Sequence, residues 1–171
     1  NNSLFNQSMG VQIGSSSLWT AVACGYYHTV ALQTPGTLWS WGLNSYGQLG
    51  TSNQTNYSSP TQVGTGSLWT SVACGYSHTA AIQTPGTLWT WGLNSYGQLG
   101  NNTTTDNHTP TNISSFGSLS GKTIVAIAAG VLHTVALDTT GKVHTWGYNG
   151  YGELGNNSTT DSYIPINIST F

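Results

Sequence analysis

Residues 42–50 read Gly-Leu-Asn-Ser-Tyr-Gly-Gln-Leu-Gly; the same string stands at 92–100, and Gly-Tyr-Asn-Gly-Tyr-Gly-Glu-Leu-Gly stands at 147–155. Each copy follows a tryptophan, Trp41, Trp91 or Trp146, so an apolar strand runs directly into a segment rich in glycine. Glycine accepts the tight turns and positive φ that a side chain resists, and Gly47, Gly97 and Gly152 stand at the middle of the three corners. Asn44, Asn94 and Asn149 tolerate left-handed backbone, and Leu49, Leu99 and Leu154 return the chain to the interior. The pattern is a corner built for packing rather than a catalytic loop.

Outward from the corner, the repetition takes in the whole chain. Residues 17–50 and 67–100 differ at only five of 34 positions, Ala21/Ser71, Tyr27/Ser77, Val30/Ala80, Leu32/Ile82 and Ser40/Thr90, which sets a period of 50. The third copy has diverged and carries five extra residues around Phe116 to Lys122, so His133 and Trp146 stand 55 positions after His78 and Trp91. An insertion of that kind is expected to be a longer surface connection. Within the first copy, strands are expected at 18–24, 28–33 and 37–41, with Thr34-Pro35-Gly36 as the hairpin turn. A polar loop at 51–59 then leads to a short fourth strand from about Thr61 to Val63, with Pro60 at its start marking an outer edge. Four short strands per unit, apolar on both faces and recurring near 50 residues, describe the blade of a β-propeller. The expected fold is therefore all-β: blades of four antiparallel strands at 15–64, 65–114 and 115–171. Residues 1–14 align without a gap on 51–64, which sets Ile13 where Val63, Ile113 and Ile168 stand, and they are expected to be the tail strand of a preceding blade.

The string His-Thr-x-Ala-Leu, followed by Trp-x-Trp-Gly-x-Asn-x-x-Gly-Gln-Leu-Gly, resembles the repeat of the regulator of chromosome condensation family from about Gln12 to Ile168. That resemblance implies a propeller, in the family usually a ring of about seven blades. It also implies that the histidine at the start of each second strand bonds locally to backbone, and that the tight connection before it lies on one face of the disc. Three copies cannot close a ring of that curvature. The chain is expected to be either an excerpt of a longer repeat protein or a short one that completes a ring or fibre through copies of itself.

Only Lys122, Lys142, Asp106, Asp138, Glu153 and Asp161 are charged, 4% of the residues. With two lysines and no arginine the chain cannot neutralise a useful number of phosphates, so nucleic acid is excluded as a partner. No run approaches the roughly 18 apolar residues of a membrane span. Eleven Asn-x-Ser/Thr triplets offer possible glycan sites. Together with the uncharged, Asn/Thr-rich surface they suggest an extracellular or cell-surface protein, a bacterial-like version of the resembled family.

No residue set points to an enzyme or a cofactor. His28, His78 and His133 recur at one blade position, and equivalent positions on neighbouring blades stand too far apart for one zinc ion. They read, with Trp41, Trp91 and Trp146, as repeat core. Cys24 and Cys74 share a position that the third copy gives to Ala129, so they read as small, buried free thiols. Asp106 and Asp161 are loop equivalents and form no cleft pair. The varying positions are Tyr26-Tyr27, Tyr76-Ser77 and Val131-Leu132, between the first-strand glycine and the histidine. These six residues form the candidate interaction face, mainly uncharged and aromatic as protein interfaces favour. The expected function is a non-enzymatic interaction or adhesive module whose partner is a protein or copies of itself. The alternatives are a subunit of a self-assembling filament or surface layer and, more remotely, a secreted propeller that inhibits an enzyme.

Overall fold

The computed structural model describes residues 9–13, 15 and 18–168. Three antiparallel sheets of four strands follow one another along the chain. Blade 1 holds β1 (Trp19–Cys24), β2 (His28–Gln33), β3 (Thr37–Gly42) and β4 (Tyr57–Gln62). Blade 2 holds β5 (Trp69–Cys74), β6 (His78–Gln83), β7 (Thr87–Gly92) and β8 (Asn107–Asn112). Blade 3 holds β9 (Ile124–Ala129), β10 (His133–Asp138), β11 (Val143–Gly147) and β12 (Ser162–Asn167). Each sheet runs in sequence order, and the first strands β1, β5 and β9 lie side by side, so the blades fan outward from them. The expected all-β propeller architecture is what the chain forms.

The fourth strand is longer than the sequence suggested. It starts at Tyr57 rather than Thr61 and carries Pro60 inside it. Tyr57 pairs with Gly42 and Thr61 with Ser40, with an irregularity between them that takes up Pro60. An outermost strand needs only one ladder, so a residue without an N–H is tolerated there. The expected tail strand falls largely outside the described residues; within it, residues 9–13 form no strand.

The core lies between blades, because each sheet is apolar on both faces. Val30, Leu32, Leu38 and Val63 of blade 1 pack on Trp69, Ala81 and Trp91 of blade 2. Ala80, Ile82, Leu88 and Ile113 of blade 2 pack on Ile124, Ala136 and Trp146 of blade 3. Each valine, leucine or isoleucine among them contributes roughly 1.5–3 kcal/mol when taken out of water. Aliphatic residues thus form the face toward the next blade and tryptophans the face toward the preceding one. Trp69 meets Trp89 and Trp91 edge-on at 5.8 and 6.3 Å, and Trp19 meets Trp39 and Trp41 at 6.2 and 6.3 Å.

Blade 3 replaces two members of that cluster by Ile124 and His144, and the five-residue insertion makes good the lost volume. Gly117–Leu119 forms one 3-10 turn that packs on β12, Leu119 is fully buried in the core between blades 2 and 3, and Phe116 packs beside it. The insertion is therefore part of the core and not only a surface connection.

Candidate functional site

The glycine corner is a latch between blades. The buried carbonyl of Gln48 accepts from Trp91 Nε1 at 2.9 Å and from Thr79 Oγ1 at 2.9 Å, both residues of blade 2. Gln98 does the same for Trp146 at 3.0 Å and Thr134 at 2.8 Å in blade 3. Gly47 has φ +76°, and a Cβ there would overlap His108 on β8, so a side chain is excluded by both conformation and contact. The asparagines act differently from expectation. Asn44, Asn94 and Asn149 are not among the residues with positive φ. Their side chains build the corner instead: Asn44 Oδ1 accepts from Leu49 N at 2.9 Å while Nδ2 donates to Asn53 O at 2.9 Å. Asp106 and Asp161 accept from the backbone N–H of Asn94 and Asn149 at 2.8 Å, which makes these carboxylates corner braces.

The histidines complete the latch. His28 Nε2 lies 3.0 Å from Thr79 Oγ1, and His78 Nε2 lies 3.0 Å from Thr134 Oγ1. Since each threonine hydroxyl gives its proton to the glutamine carbonyl, it accepts from the imidazole, which fixes the proton on Nε2. The partner is thus a hydroxyl of the next blade and not local backbone, contrary to what the resemblance implied. Burial pushes His28 down to about 4 and His78 down to about 3, so both rings are neutral. His133 is only half-buried, as is Trp41, because each faces a side of the array that no blade among the described residues covers.

The six face residues divide into two roles. Tyr26, Tyr76 and Val131 form a ladder: Tyr26 N donates to Tyr76 O at 3.3 Å, and Tyr76 N donates to Val131 O at 3.0 Å. The Tyr26 and Tyr76 rings stack with centroids 4.6 Å apart, and Tyr27 meets Tyr26 edge-on at 4.4 Å. The hydrogen bond with Tyr26 raises the Tyr27 hydroxyl above its ordinary pKa. The second residue of each pair instead bolts the corner in place, Tyr27, Ser77 and Leu132 accepting from Leu43, Leu93 and Tyr148 N at 2.9 Å. Ser77 is buried and Leu132 half-buried, so Ser77 does not belong to the exposed face. The ladder borders a groove of about 400 Å³ shared with Cys24, Cys74 and Ala129. The cysteines are free thiols, but Cys24 is exposed rather than buried, whereas burial pushes Cys74 up to about 12.

Blade 3 also contains an alignment that the repeat pattern concealed. Ser118 Oγ lies 2.6 Å from His144 Nδ1, and His144 Nε2 lies 3.1 Å from Asp138 Oδ2. Asp138 also accepts from Thr140 Oγ1 and Lys142 N, and these bonds, the Thr140 hydroxyl first, hold its carboxyl below the usual range. His144 and Asp138 are each 1% exposed, so no substrate reaches the imidazole. The group pins the 117–119 turn to the blade. Among the described residues, no cluster of three His, Cys, Asp or Glu could hold a metal ion, and no helix is long and apolar enough to cross a membrane.

Four-stranded blades joined by such latches, with a connection ladder on one side, define a propeller-repeat protein. The model of the regulator of chromosome condensation (RCC1) repeat matches residues 35–82, 85–137 and 140–171, and the chain belongs to that family. Human probable E3 ubiquitin-protein ligase HERC4 is 39% identical over 147 residues, 86% of this chain and 14% of its own length. RUG3, a mitochondrial RCC1 domain-containing protein of Arabidopsis thaliana, is 43% identical over 51 residues, 30% of this chain and 12% of its own. The chain thus spans a small part of these curated relatives. Yeast RCC1 (Prp20), solved bound to Kap60, superposes with a TM-score of 0.79 at 23% identity, covering 90% of this chain and 37% of that one. Prp20p of Saccharomyces cerevisiae, solved in a study that includes its binding to Gsp1p and histones, superposes at 0.78 with 22% identity, covering 90% and 39%. At such identities the likeness is one of fold. The relatives named are eukaryotic, so the bacterial-like, extracellular version expected from composition finds no support in them.

Proposed function

We propose that this chain is a non-enzymatic protein-interaction segment of a propeller, engaging a protein partner through the ladder Tyr26, Tyr76 and Val131 and the groove beside it. The observation that carries this reading is the stacked pair Tyr26–Tyr76, held by backbone hydrogen bonds and exposed on one side of the blades. Rigid aromatic rings present large contact area at little entropic cost, the property of interface anchors. No charged side chain borders the groove, so the partner's matching surface is uncharged. Kap60 and the Gsp1p and histone binding described for yeast Prp20 add a precedent for protein partners. The ligase activity in the HERC4 name is not carried over, because the chain spans 14% of that protein. The microbial and cell-surface setting and surface glycans rest on sequence composition, the inhibitor-like role on the family resemblance, and none of them forms part of the proposal.

The test compares the chain with Tyr26→Ala/Tyr76→Ala as immobilised baits, with retained proteins identified by mass spectrometry. Proteins held by the parent and lost from a variant with unchanged melting support the reading. Equal retention by both contradicts it.

A further inference from the structure

The seam between blades 1 and 2 opens at the outer rim into a groove of about 480 Å³, lined by Ser52, Tyr57, Thr61 and Gln62 of blade 1 and by Thr109 and Pro110 of blade 2. Both blades have all four strands, and every residue of the lining is among those described. The volume falls within the range of small-ligand sites, roughly 300–1,000 Å³. The groove lies on the outermost strands, β4 and β8, whereas the Tyr26–Tyr76 ladder follows the innermost, β1 and β5.

The equivalent place in the seam between blades 2 and 3 is filled. Asn107 stands where blade 1 has Tyr57, and its Nδ2 donates to Thr111 Oγ1. Ser114 stands where blade 1 has Gly64, and its hydroxyl accepts from Leu88 N at 2.9 Å. The 117–119 turn closes the rest: it packs on β12, with Gly117 directly against the carbonyl of Pro165, the counterpart of Pro110. The first seam has no inserted turn, and Gly64, at φ +62°, leaves that side of the groove open.

The groove also keeps unused hydrogen-bonding capacity. Among the described residues, the Ser52 hydroxyl and the Gln62 side-chain amide bond to no protein group. Thr61 Oγ1 reaches only Ser59 O, at 3.4 Å. The Tyr57 hydroxyl accepts from Asn53 Nδ2 at 3.2 Å, which steadies the ring and leaves the phenol proton to donate. No charged side chain lines the groove, so an ionic ligand would lose hydration and find no counter-charge. A wholly apolar ligand would strip water from the hydroxyls and the amide without replacing its hydrogen bonds. A molecule with neutral hydroxyls at its edges and a C–H face meets both conditions. We propose that this rim groove binds a neutral disaccharide built of pyranose rings. One ring rests its C–H face on Tyr57 and Pro110, and its hydroxyls exchange hydrogen bonds with the Ser52 hydroxyl and with Gln62, an amide that both donates and accepts.

The groove is separate from the tyrosine ladder, so this proposal and the protein-interaction reading fail independently. The test titrates the isotope-labelled chain, followed by NMR, with maltose, cellobiose, lactose and mannobiose. A parallel arm uses a high-mannose glycopeptide, which separates a free sugar from a protein-borne glycan as the source. Saturable shifts are expected with at least one probe at the amides of Ser52, Gln62 and Thr109, and none at their second-seam counterparts Asn102, Asn112 and Ile164. Gln62→Ala, at an exposed position, should weaken that binding about tenfold with unchanged melting, and Tyr57→Ala, checked for folding by circular dichroism, should abolish saturation. The absence of a saturable shift with every probe overturns the proposal. So do shifts spread equally over both seams, or an affinity that Gln62→Ala leaves unchanged.

Discussion

The indole Nε1 of Trp91 donates to the backbone carbonyl of Gln48 at 2.9 Å, from one blade to the corner of the blade before it. Thr79 and His28 join the same carbonyl in a chain of buried hydrogen bonds, and Gln98, Trp146, Thr134 and His78 repeat it one blade later. The nine-residue corner therefore fixes the angle between blades, and with it the spacing of the connections that carry the tyrosine ladder.

If Thr79 links three groups, Thr79→Val should cost about 1–3 kcal/mol, the penalty of leaving a buried imidazole N–H without its acceptor. Thr29→Val removes the same hydroxyl where no corner among the described residues reaches it and should change stability by less than about 0.5 kcal/mol. Urea denaturation of the two variants in parallel reads the difference, and equal costs would remove Thr79 from the latch.

Acid should weaken the fold before the carboxylates titrate. His28 and His78 are held neutral at about 4 and about 3, below the ordinary histidine value of 6.5. The unfolded chain therefore binds protons that the folded one refuses. The stability these rings contribute is complete above about pH 6.5 and is lost as pH falls through that value toward their folded values, by up to about 1.4 kcal/mol per pH unit for each ring. Denaturation midpoints should drop steadily between neutral pH and about pH 4.5, and His78→Gln should flatten that dependence.

Leu119 lies in the inserted turn yet is buried between blades 2 and 3. Leu119→Ala should cost about 2–5 kcal/mol, as for other buried leucines. A surface connection would lose less than about 0.5 kcal/mol, so one thermal melt separates the two descriptions.

Gly97 and Gly152 occupy equivalent corners with φ of +73° and +84°. Alanine at Gly152 should cost only the left-handed strain of about 1–2 kcal/mol, whereas at Gly97 it also meets Tyr163 and should cost a further 1–3 kcal/mol or so. Equal losses in the two variants would mean that blade 3 is covered as blade 2 is.

Much of this was legible in the sequence, because a repeat shows its strands several times over. His28–Gln33 and the hairpin after it fall where the apolar run after Gly25 and the Pro-Gly pair set them. Strand β4 was legible only in part, since an outer strand of Tyr, Ser and Thr buries little and leaves no apolar alternation to read. The latch was hidden because its acceptor is a backbone carbonyl, which no residue type announces. Ser77 looked equivalent to Tyr27, but the preceding corner covers one and not the other, a difference of neighbourhood that identical local sequence cannot carry. The Ser118, His144 and Asp138 alignment was missed for a related reason: its members come from the one insertion and from two substitutions in the third copy, where the repeat gives no template.

The measurement that bears most directly on this account is hydrogen exchange of the indole N–H groups, followed by NMR on the chain at micromolar concentration. The latch requires Trp91 and Trp146 to be protected and Trp41, which no corner among the described residues reaches, to exchange rapidly. Protection of Trp41 equal to that of the other two in the monomer, or exchange of Trp91 and Trp146 at the rate of a free indole, would contradict it.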